Sequence, residues 1–524
     1  MYDFKITKTG ISVLDSLLGG GFLSNSIIVF SIQSGAKYWE LVHRIIYNNY
    51  DDKFHLILVT FHMVQSEILY QLNAYQKFSK HYEKVTEIFS TSNISIINCF
   101  SMPEDKENDS QKGNIHYVSN PFNVDNLLSV MAQVRENVPQ DKNVYWLFHN
   151  LTNMSIGVPE DELLKFCRRI FRYHKQHGDL AIYFMDEYAH TDRFFAKVYQ
   201  LSDILIKLIA EENPRGLENV IQVLKGVFPF QSRKVYYDIN VDGEIIFRDN
   251  KMDIKTQVPS RTFSIINHME VGSSKGKILK PIVTGISRLD SLLGGGMLSN
   301  SVIVASYQYG VRILEPLHHI FQNQFGEKTH VIQISYNFWL DEYLTRFKPS
   351  ESLAEITGKS LEIFTEGKAS IIDCLNVRQD ETDSQKNNIY PLSTPFNVDK
   401  LLSLMTSVRN SVSDDKSVFW VFHSLTDMSI GVPEDELLKF CRRAFRYHKS
   451  KGDLALYTFI KEAHSNIFHA KLYQLSDVFI KFIAENAPQG MRTVIQIIKS
   501  TFNYDSKKTK YTLDEKGQIQ FLED

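Results

Sequence analysis

The feature that most constrains this chain is an internal duplication. Residues 9–29 read TGISVLDSLLGGGFLSNSIIV and residues 284–304 read TGISRLDSLLGGGMLSNSVIV, identical at 18 of 21 positions with an offset of 275. Residues 148–181 and 422–455 agree at 29 of 34 positions with an offset of 274. The string MSIGVPEDELLKFCRR occurs twice, starting at Met154 and at Met428. The cysteines keep the same spacing, Cys99 with Cys374 and Cys167 with Cys441. At 524 residues the chain exceeds the roughly 250–300 at which a single core stops growing. The duplication therefore predicts two copies of one domain, residues 1–250 and 281–524. A polar linker over 251–280, with SKGK near its end, joins them.

Composition narrows the function classes. The net charge of −3 gives no global basic field for nucleic acid. Four cysteines in a chain this long make no disulfide framework, and none has zinc-ligand spacing. No apolar run reaches the roughly 18–20 residues that span a bilayer. The N-terminus lacks the charged-then-apolar plan of a signal peptide. The expectation is a soluble, cytoplasmic protein with no metal.

Within each copy, short β-branched runs alternate with helical periodicity. In the first copy strands are expected over 26–31, 54–61, 93–100, 143–148, 180–185, 204–210 and 220–224. Helices are expected over 38–50, 65–82, 123–137 and 160–177, the last preceded by Pro159. Residues 235–247 read as a hairpin with its turn at 241–243. Strands separated by helices predict an α/β fold with a parallel sheet covered on both faces.

The pattern TGIxxLDxLLGGG, followed by a buried strand, a loop and a helix, resembles the start of KaiC-type domains of the RecA-like P-loop ATPases. PFNVDNLL at 121–128 resembles the helix before that family's Walker B strand. The resemblance covers nearly all of both copies. It implies two tandem RecA-like (KaiC-type) domains, each with a mostly parallel central sheet flanked by helices. Such tandem proteins form hexameric rings.

Against the family's chemistry both copies are degenerate. A phosphate loop needs glycines, so that backbone N–H groups can wrap the phosphates, then a Lys and a hydroxyl for Mg²⁺. The first copy has Ser31-Ile-Gln-Ser-Gly-Ala-Lys-Tyr38, which keeps Ser34, Gly35 and Lys37 but puts Ala36 and Tyr38 where a glycine and the metal hydroxyl belong. The second has Ser306-Tyr-Gln-Tyr-Gly-Val-Arg-Ile313, with Gly310 and Arg312 as the remnants and Ile313 in place of the hydroxyl. The resemblance puts the Walker B aspartate at His149 and His423, and the catalytic glutamate pair at His62 and Met63, or Tyr336 and Asn337. None of these replaces a carboxylate as Mg²⁺ ligand or base. A Lys-x-Arg finger would fall on Val223 and Lys225, or Ile497 and Lys499. Residues 30–42 and 305–317 share only 4 of 13 positions, so the copies diverge where a common nucleotide would hold them alike.

Several residues admit two readings. His62 and His149 would lie near the former catalytic centre as a pH-sensitive pair, or as hydrogen-bonded fillers. Arg168, Arg169, Arg172, His174 and Lys175 close a helix that Glu160, Asp161 and Glu162 open. This is dipole matching, or a surface for an anionic partner. The recurring MSIGVPED at 154–161 is the expected shared contact surface. Residues 105–112 and 379–386 read as solvated loops. The resulting expectation is a pseudo-enzyme that regulates or scaffolds through protein contacts. It would self-associate, in a ring or otherwise, or join a KaiC-type partner, with no catalytic residue and no cofactor. One alternative is weak ATP binding or hydrolysis in domain 1 through Ser34, Gly35 and Lys37. Another is nucleic-acid binding in the manner of recombinase paralogues.

Overall fold

A computed structural model describes residues 5–61, 93–100, 114–213, 216–240, 244–248, 271–272, 278–308, 311, 313, 317, 329–336, 368–374, 388–487, 490–513 and 519–522. The described residues divide into two compact units, with the boundary between Ile278 and Leu279. The helix expected over 65–82, the turn at 241–243 and the charged loops at 105–112 and 379–386 lie outside the described residues, as does most of the expected linker. Within it, β13 (Val271–Gly272) pairs with β14 (Ile278–Leu279).

Unit 1 opens with a small ladder, β1 (Ile6–Thr7) against β2 (Phe22–Leu23), around α1 (Ser12–Leu17). The chain then runs through β3 (Ile27–Ile32), α2 (Trp39–Asn49), β4 (Phe54–Thr60), β5 (Ile94–Asn98) and β6 (Ile115–Tyr117). Next come α3 (Val124–Glu136), β7 (Asn143–His149), α4 (Leu151–Met154), α5 (Glu160–His177), β8 (Leu180–Asp186) and α6 (Asp192–Leu201). It ends on β9 (Ile204–Asn213), β10 (Gly216–Lys225), β11 (Val235–Ile239) and β12 (Ile245–Arg248). These strands form one ten-stranded sheet in the order β12-β11-β10-β9-β3-β8-β7-β4-β5-β6. From β6 to β9 all neighbours are parallel. The last three strands add antiparallel at one edge. The sheet is thus mostly parallel, and the parallel expectation fails only at that edge.

The strands read as continuous apolar runs because both faces are covered. Alternate side chains of β3 go to different cores: Ile28, Phe30 and Ile32 pack with α1 and α2, whereas Ile27 and Val29 pack with α3 and α5. Helix α5 spans the expected residues. Pro159 precedes it, three acidic residues fill its first turn, and Gly178 ends it at φ 72°.

The glycine triplet is set by close packing. Gly19 and Gly21 have φ 73° and 133°, and a Cβ there would lie 2.3 Å from the carbonyl oxygen of Pro229 and 2.5 Å from that of Thr7. Thr9 completes the motif by donating its N–H and hydroxyl to Asp15 Oδ1, each at 2.8 Å.

Unit 2 repeats the plan with β15 (Pro281–Ile282), α7 (Ser287–Leu292), β16 (Met297–Leu298), β17 (Val302–Tyr307), β18 (Thr329–Ser335), β19 (Ala369–Asp373) and β20 (Ile389–Pro391). It continues through α8 (Val398–Ser411), β21 (Ser417–His423), α9 (Leu425–Met428), α10 (Glu434–Lys451), β22 (Leu454–Ile460) and α11 (Asn466–Leu475). The strands β23 (Val478–Ala487), β24 (Gly490–Lys499), β25 (Thr509–Leu513) and β26 (Ile519–Phe521) close it. Its sheet has the same ten-strand order.

One duplicated pair makes the fold pH-dependent. His174 Nε2 shares a 2.7 Å hydrogen bond with the Tyr183 hydroxyl, and His448 does the same with Tyr457. Burial lowers both imidazoles to about 3 from an ordinary 6.5. The unfolded chain therefore takes up protons near pH 6.5 that the folded chain refuses. Stability is complete above that pH and falls as the pH drops towards 3, by about 1.4 kcal/mol per pH unit for each histidine. Denaturant unfolding at pH 7 and pH 5 should show this loss, with a shallower slope in a His174→Gln, His448→Gln double variant.

Candidate functional site

In an open α/β sheet, ligands sit beyond the carboxyl ends of the strands where the chain reverses its winding. In unit 1 the chain leaves β3 for β4 and works outward to β6. It then returns through β7 and β8 before crossing to β9. The ends of β3, β8 and β7 therefore frame the candidate site, and the loop at 33–38 lies over it.

That loop is bound to protein at each turn. Gln33 donates its N–H to the Leu208 carbonyl at 2.9 Å, and its side-chain amide donates to the Tyr188 hydroxyl at 3.0 Å. The Ser34 hydroxyl donates to Asp186 Oδ2 at 3.1 Å. Gly35 takes φ 96°. The Ala36 N–H closes a turn on the Gln33 carbonyl at 3.0 Å, and the Lys37 N–H donates to Asn219 Oδ1 at 2.9 Å. The Tyr237 hydroxyl donates to the Lys37 carbonyl. A phosphate-wrapping loop keeps its N–H groups for the ligand. Here those of Ala36 and Lys37 are spent internally.

The space over β7 is taken by rings. Tyr38 and Trp39, both half-buried, stack at 5.4 Å, and Trp39 stacks on the buried His149 at 4.3 Å. The Tyr38 hydroxyl and His149 Nε2 share a hydrogen bond at 3.1 Å. Trp39 also reaches His43, which burial lowers to about 3. His149, expected to end the Walker B strand, stands at the end of β7, and its ring is engaged by Tyr38 and Trp39. His62 and Met63 lie outside the described residues, so nothing places a His62–His149 pair.

In unit 2 the described residues of the corresponding segment face inward. Gln308 donates its N–H to the Phe482 carbonyl at 3.2 Å and accepts from the Ala484 N–H at 2.8 Å. Val311 and Ile313 are buried in the hydrophobic core beside Leu317. Ile313, which the resemblance sets where a metal hydroxyl was expected, is therefore a core residue. Gly310, Arg312 and Asn337 lie outside the described residues. Tyr336 donates its hydroxyl to the Pro395 carbonyl at 2.7 Å. Burial lowers the His423 imidazole to about 4.

Other sequence-marked residues take structural places. The Lys225 ammonium donates to the carbonyls of Tyr199, Gln200 and Ser202 at 2.9, 3.2 and 2.5 Å, capping the end of α6. Lys499 caps α11 in the same way. Val223 and Ile497 are in the core. Neither lysine is extended as a finger. On the basic helix, Arg169 pairs with Asp125 and Lys175 with Asp203, each at 2.6 Å. The four cysteines are buried and free of disulfides, and burial pushes the Cys167 and Cys441 thiols up. Among the described residues no group of three or more His, Cys, Asp or Glu could hold a metal ion. No described helix is long and apolar enough to cross a membrane.

The structure also joins residues that the sequence left apart. Glu160, at the end of MSIGVPED, accepts from the Thr191 N–H at 2.9 Å and from its hydroxyl. His190 Nδ1 stands 3.3 Å from Glu160, and His190 Nε2 meets the Thr152 hydroxyl at 3.0 Å. The Asp186 N–H donates to that same Thr152 oxygen at 2.9 Å. The relay recurs as Glu434, His464 and Thr426. It clamps the MSIGVPED loop to the end of β8. Gly157 fits because a Cβ there would lie 2.5 Å from the Phe122 ring. The signal was the recurrence of AH before both Thr191 and Ser465.

No protein-family model matches this chain, and no curated protein matches it either.

Burial alone would raise the Glu160 carboxyl, but the bonds from His190 and Thr191 outweigh it and hold the group near 2 against an ordinary 4.5. A carboxyl lowered in the folded state stabilises above its unfolded value, and that stability goes as the pH falls from 4.5 towards 2. Glu160→Gln should flatten the acid limb of an unfolding titration across that window. Tyr38→Phe, which removes the hydroxyl facing His149, should cost about 1 kcal/mol in denaturant unfolding.

Proposed function

We propose that this protein is a catalytically degenerate relative of the KaiC/RecA-like ATPases that acts through protein–protein contacts as a regulator or scaffold. The observation that carries the reading is the filling of the site in both units. In unit 1 Tyr38 and Trp39 lie on His149, where the resemblance puts a phosphate, a metal hydroxyl and a Walker B carboxylate. In unit 2 Val311 and Ile313 of the same loop belong to the core. Phosphoryl transfer depends on positioning and on neutralising charge around a bound metal nucleotide. A loop whose N–H groups bond to Gln33 and Asn219 offers little of either. The duplicated order of strands and the TGIxxLDxLLGGG openings support the relationship.

The ion pairs of the basic helix bear on the nucleic-acid alternative. Arg169, Lys175, Arg443 and Lys449 each meet a carboxylate within 2.7 Å, so much of the helix charge is already neutralised. The reading assigns no cofactor and no metal to either unit, and places the protein in the cytoplasm.

Phosphate release from Mg·ATP by the purified chain should stay at the background rate, and calorimetry should detect no Mg·ATP binding. Magnesium-dependent hydrolysis that disappears in Lys37→Ala would overturn the proposal and favour an active domain 1.

A further inference from the structure

The duplication gives each side chain of unit 1 a twin in unit 2, so a place where the charge reverses stands out. One such place lies at the carboxyl end of β8 in unit 1 and of β22 in unit 2. In unit 1 the chain's own carboxylate fills it. Glu187, just after β8, meets the Lys207 ammonium of β9 at 2.7 Å and accepts from the Ser31 hydroxyl of β3 at 3.3 Å. The register explains the contact, since Ser31 lies between Met185 and Lys207 on the neighbouring strands.

Unit 2 keeps the two receiving groups. Ser306 lies between Phe459 and Lys481 in the same register. The carboxylate is not kept, because Lys461 stands at the position of Glu187. A second residue changes in the same sense: Phe195 of α6 has His469 of α11 as its twin. The His469 ring is 4.8 Å from the Phe459 ring, and its Nε2 is 2.9 Å from the Lys461 carbonyl oxygen. Burial lowers this imidazole to about 4, and the charges of His464, Lys461 and Lys481 push it the same way. Both lysines therefore act on one ring. Glu462 is next in sequence, but its twin Tyr188 turns the other way and meets the Gln33 side chain at 3.0 Å.

We infer that unit 2 binds a carboxylate from outside the chain between Lys461 and Lys481, in the place that the Glu187 carboxylate fills in unit 1. Unit 1 supplies the template for the ligand: a lysine on β9 and a serine on β3 hold a carboxylate there. Like charges gathered by the fold repel, and an anion between them removes that cost. The site is open to entry. Lys461 is exposed, and the Glu187 side chain that marks the ligand's place in unit 1 is 25% exposed. Alternate residues of β17 face opposite sides of the sheet, so Ser306 points away from the core that holds Ala305, Val311 and Ile313. The site is thus separate from the filled loop, and the inference does not depend on the pseudo-enzyme reading. Two sources carry the chemistry: a free organic acid, and an aspartate or glutamate side chain of a protein partner.

Calorimetry and thermal unfolding of the full chain with succinate, at constant ionic strength, test it. The wild type should bind succinate, and its thermal midpoint should rise with succinate concentration. Lys461→Glu gives unit 2 the acid that unit 1 uses. It should weaken succinate binding by about tenfold or more. It should also raise the ligand-free midpoint, because the new carboxylate meets Lys481 as Glu187 meets Lys207. A glutamate peptide with both ends capped separates the sources. Tighter binding of the peptide assigns the site to a partner's side chain, and tighter binding of succinate assigns it to a free acid. A wild type that binds neither, succinate binding unchanged by Lys461→Glu, or a lowered midpoint in that variant would each overturn the inference.

Discussion

A buried carboxylate holds each unit together. Asp179, in the turn between α5 and β8, accepts from Arg135 Nε at 2.8 Å and from the Trp146 indole N–H at 2.9 Å. Asp453 repeats this with Arg409 at 2.8 Å and Trp420 at 3.1 Å. One side chain thereby ties α3, β7 and the α5–β8 turn. Removing one partner from such a group leaves a buried charge uncompensated, which typically costs about 3–5 kcal/mol. The position of β7, and so of His149 at its end, depends on this tie.

Given that frame, the contents of the site follow from the residues of the loop. A glycine nest works because nothing but backbone stands near the phosphate. With Ala36 and Tyr38 in the loop of unit 1, side-chain volume stands there and the loop bonds back onto its own unit. Unit 1 closes with aromatic stacking and a hydrogen bond to His149. Unit 2 closes with aliphatic packing. The two solutions share few residues, in keeping with the low agreement of the copies across this loop. By contrast, the identical MSIGVPED segments are explained by a clamp and a glycine–phenylalanine contact that both units retain.

Much of this was legible in the sequence. The β3, β4 and β7 strands stood out because both sheet faces are covered, leaving unbroken apolar runs. Helix α5 stood out because Pro159 precedes it. Helix α6 was missed: Phe194 and Val198 are its only buried side chains, too few for a clear period. The antiparallel direction of β10 was also hidden, since side-chain alternation does not encode strand direction. At the site, the departures of the loop from the motif it resembles were visible. The groups that bind the loop were not, because Asn219 and Tyr237 lie 182 and 200 residues further along. Lys225 was misread because a cation that caps a helix and one that reaches a ligand look alike in one dimension.

The near-identity of α5 and α10 creates a hazard during synthesis, since tandem domains that are almost the same can exchange elements as they fold. One buried position opposes the exchange. Ile170 fills its slot in unit 1, and its twin in unit 2 is Ala444, also fully buried. Helix α10 placed in unit 1 would leave a void where Ile170 belongs, costing about 2–5 kcal/mol. Helix α5 placed in unit 2 would overfill a slot shaped for alanine, costing about 1–3 kcal/mol. A mismatch of one side chain thus marks each helix for its own half of the chain.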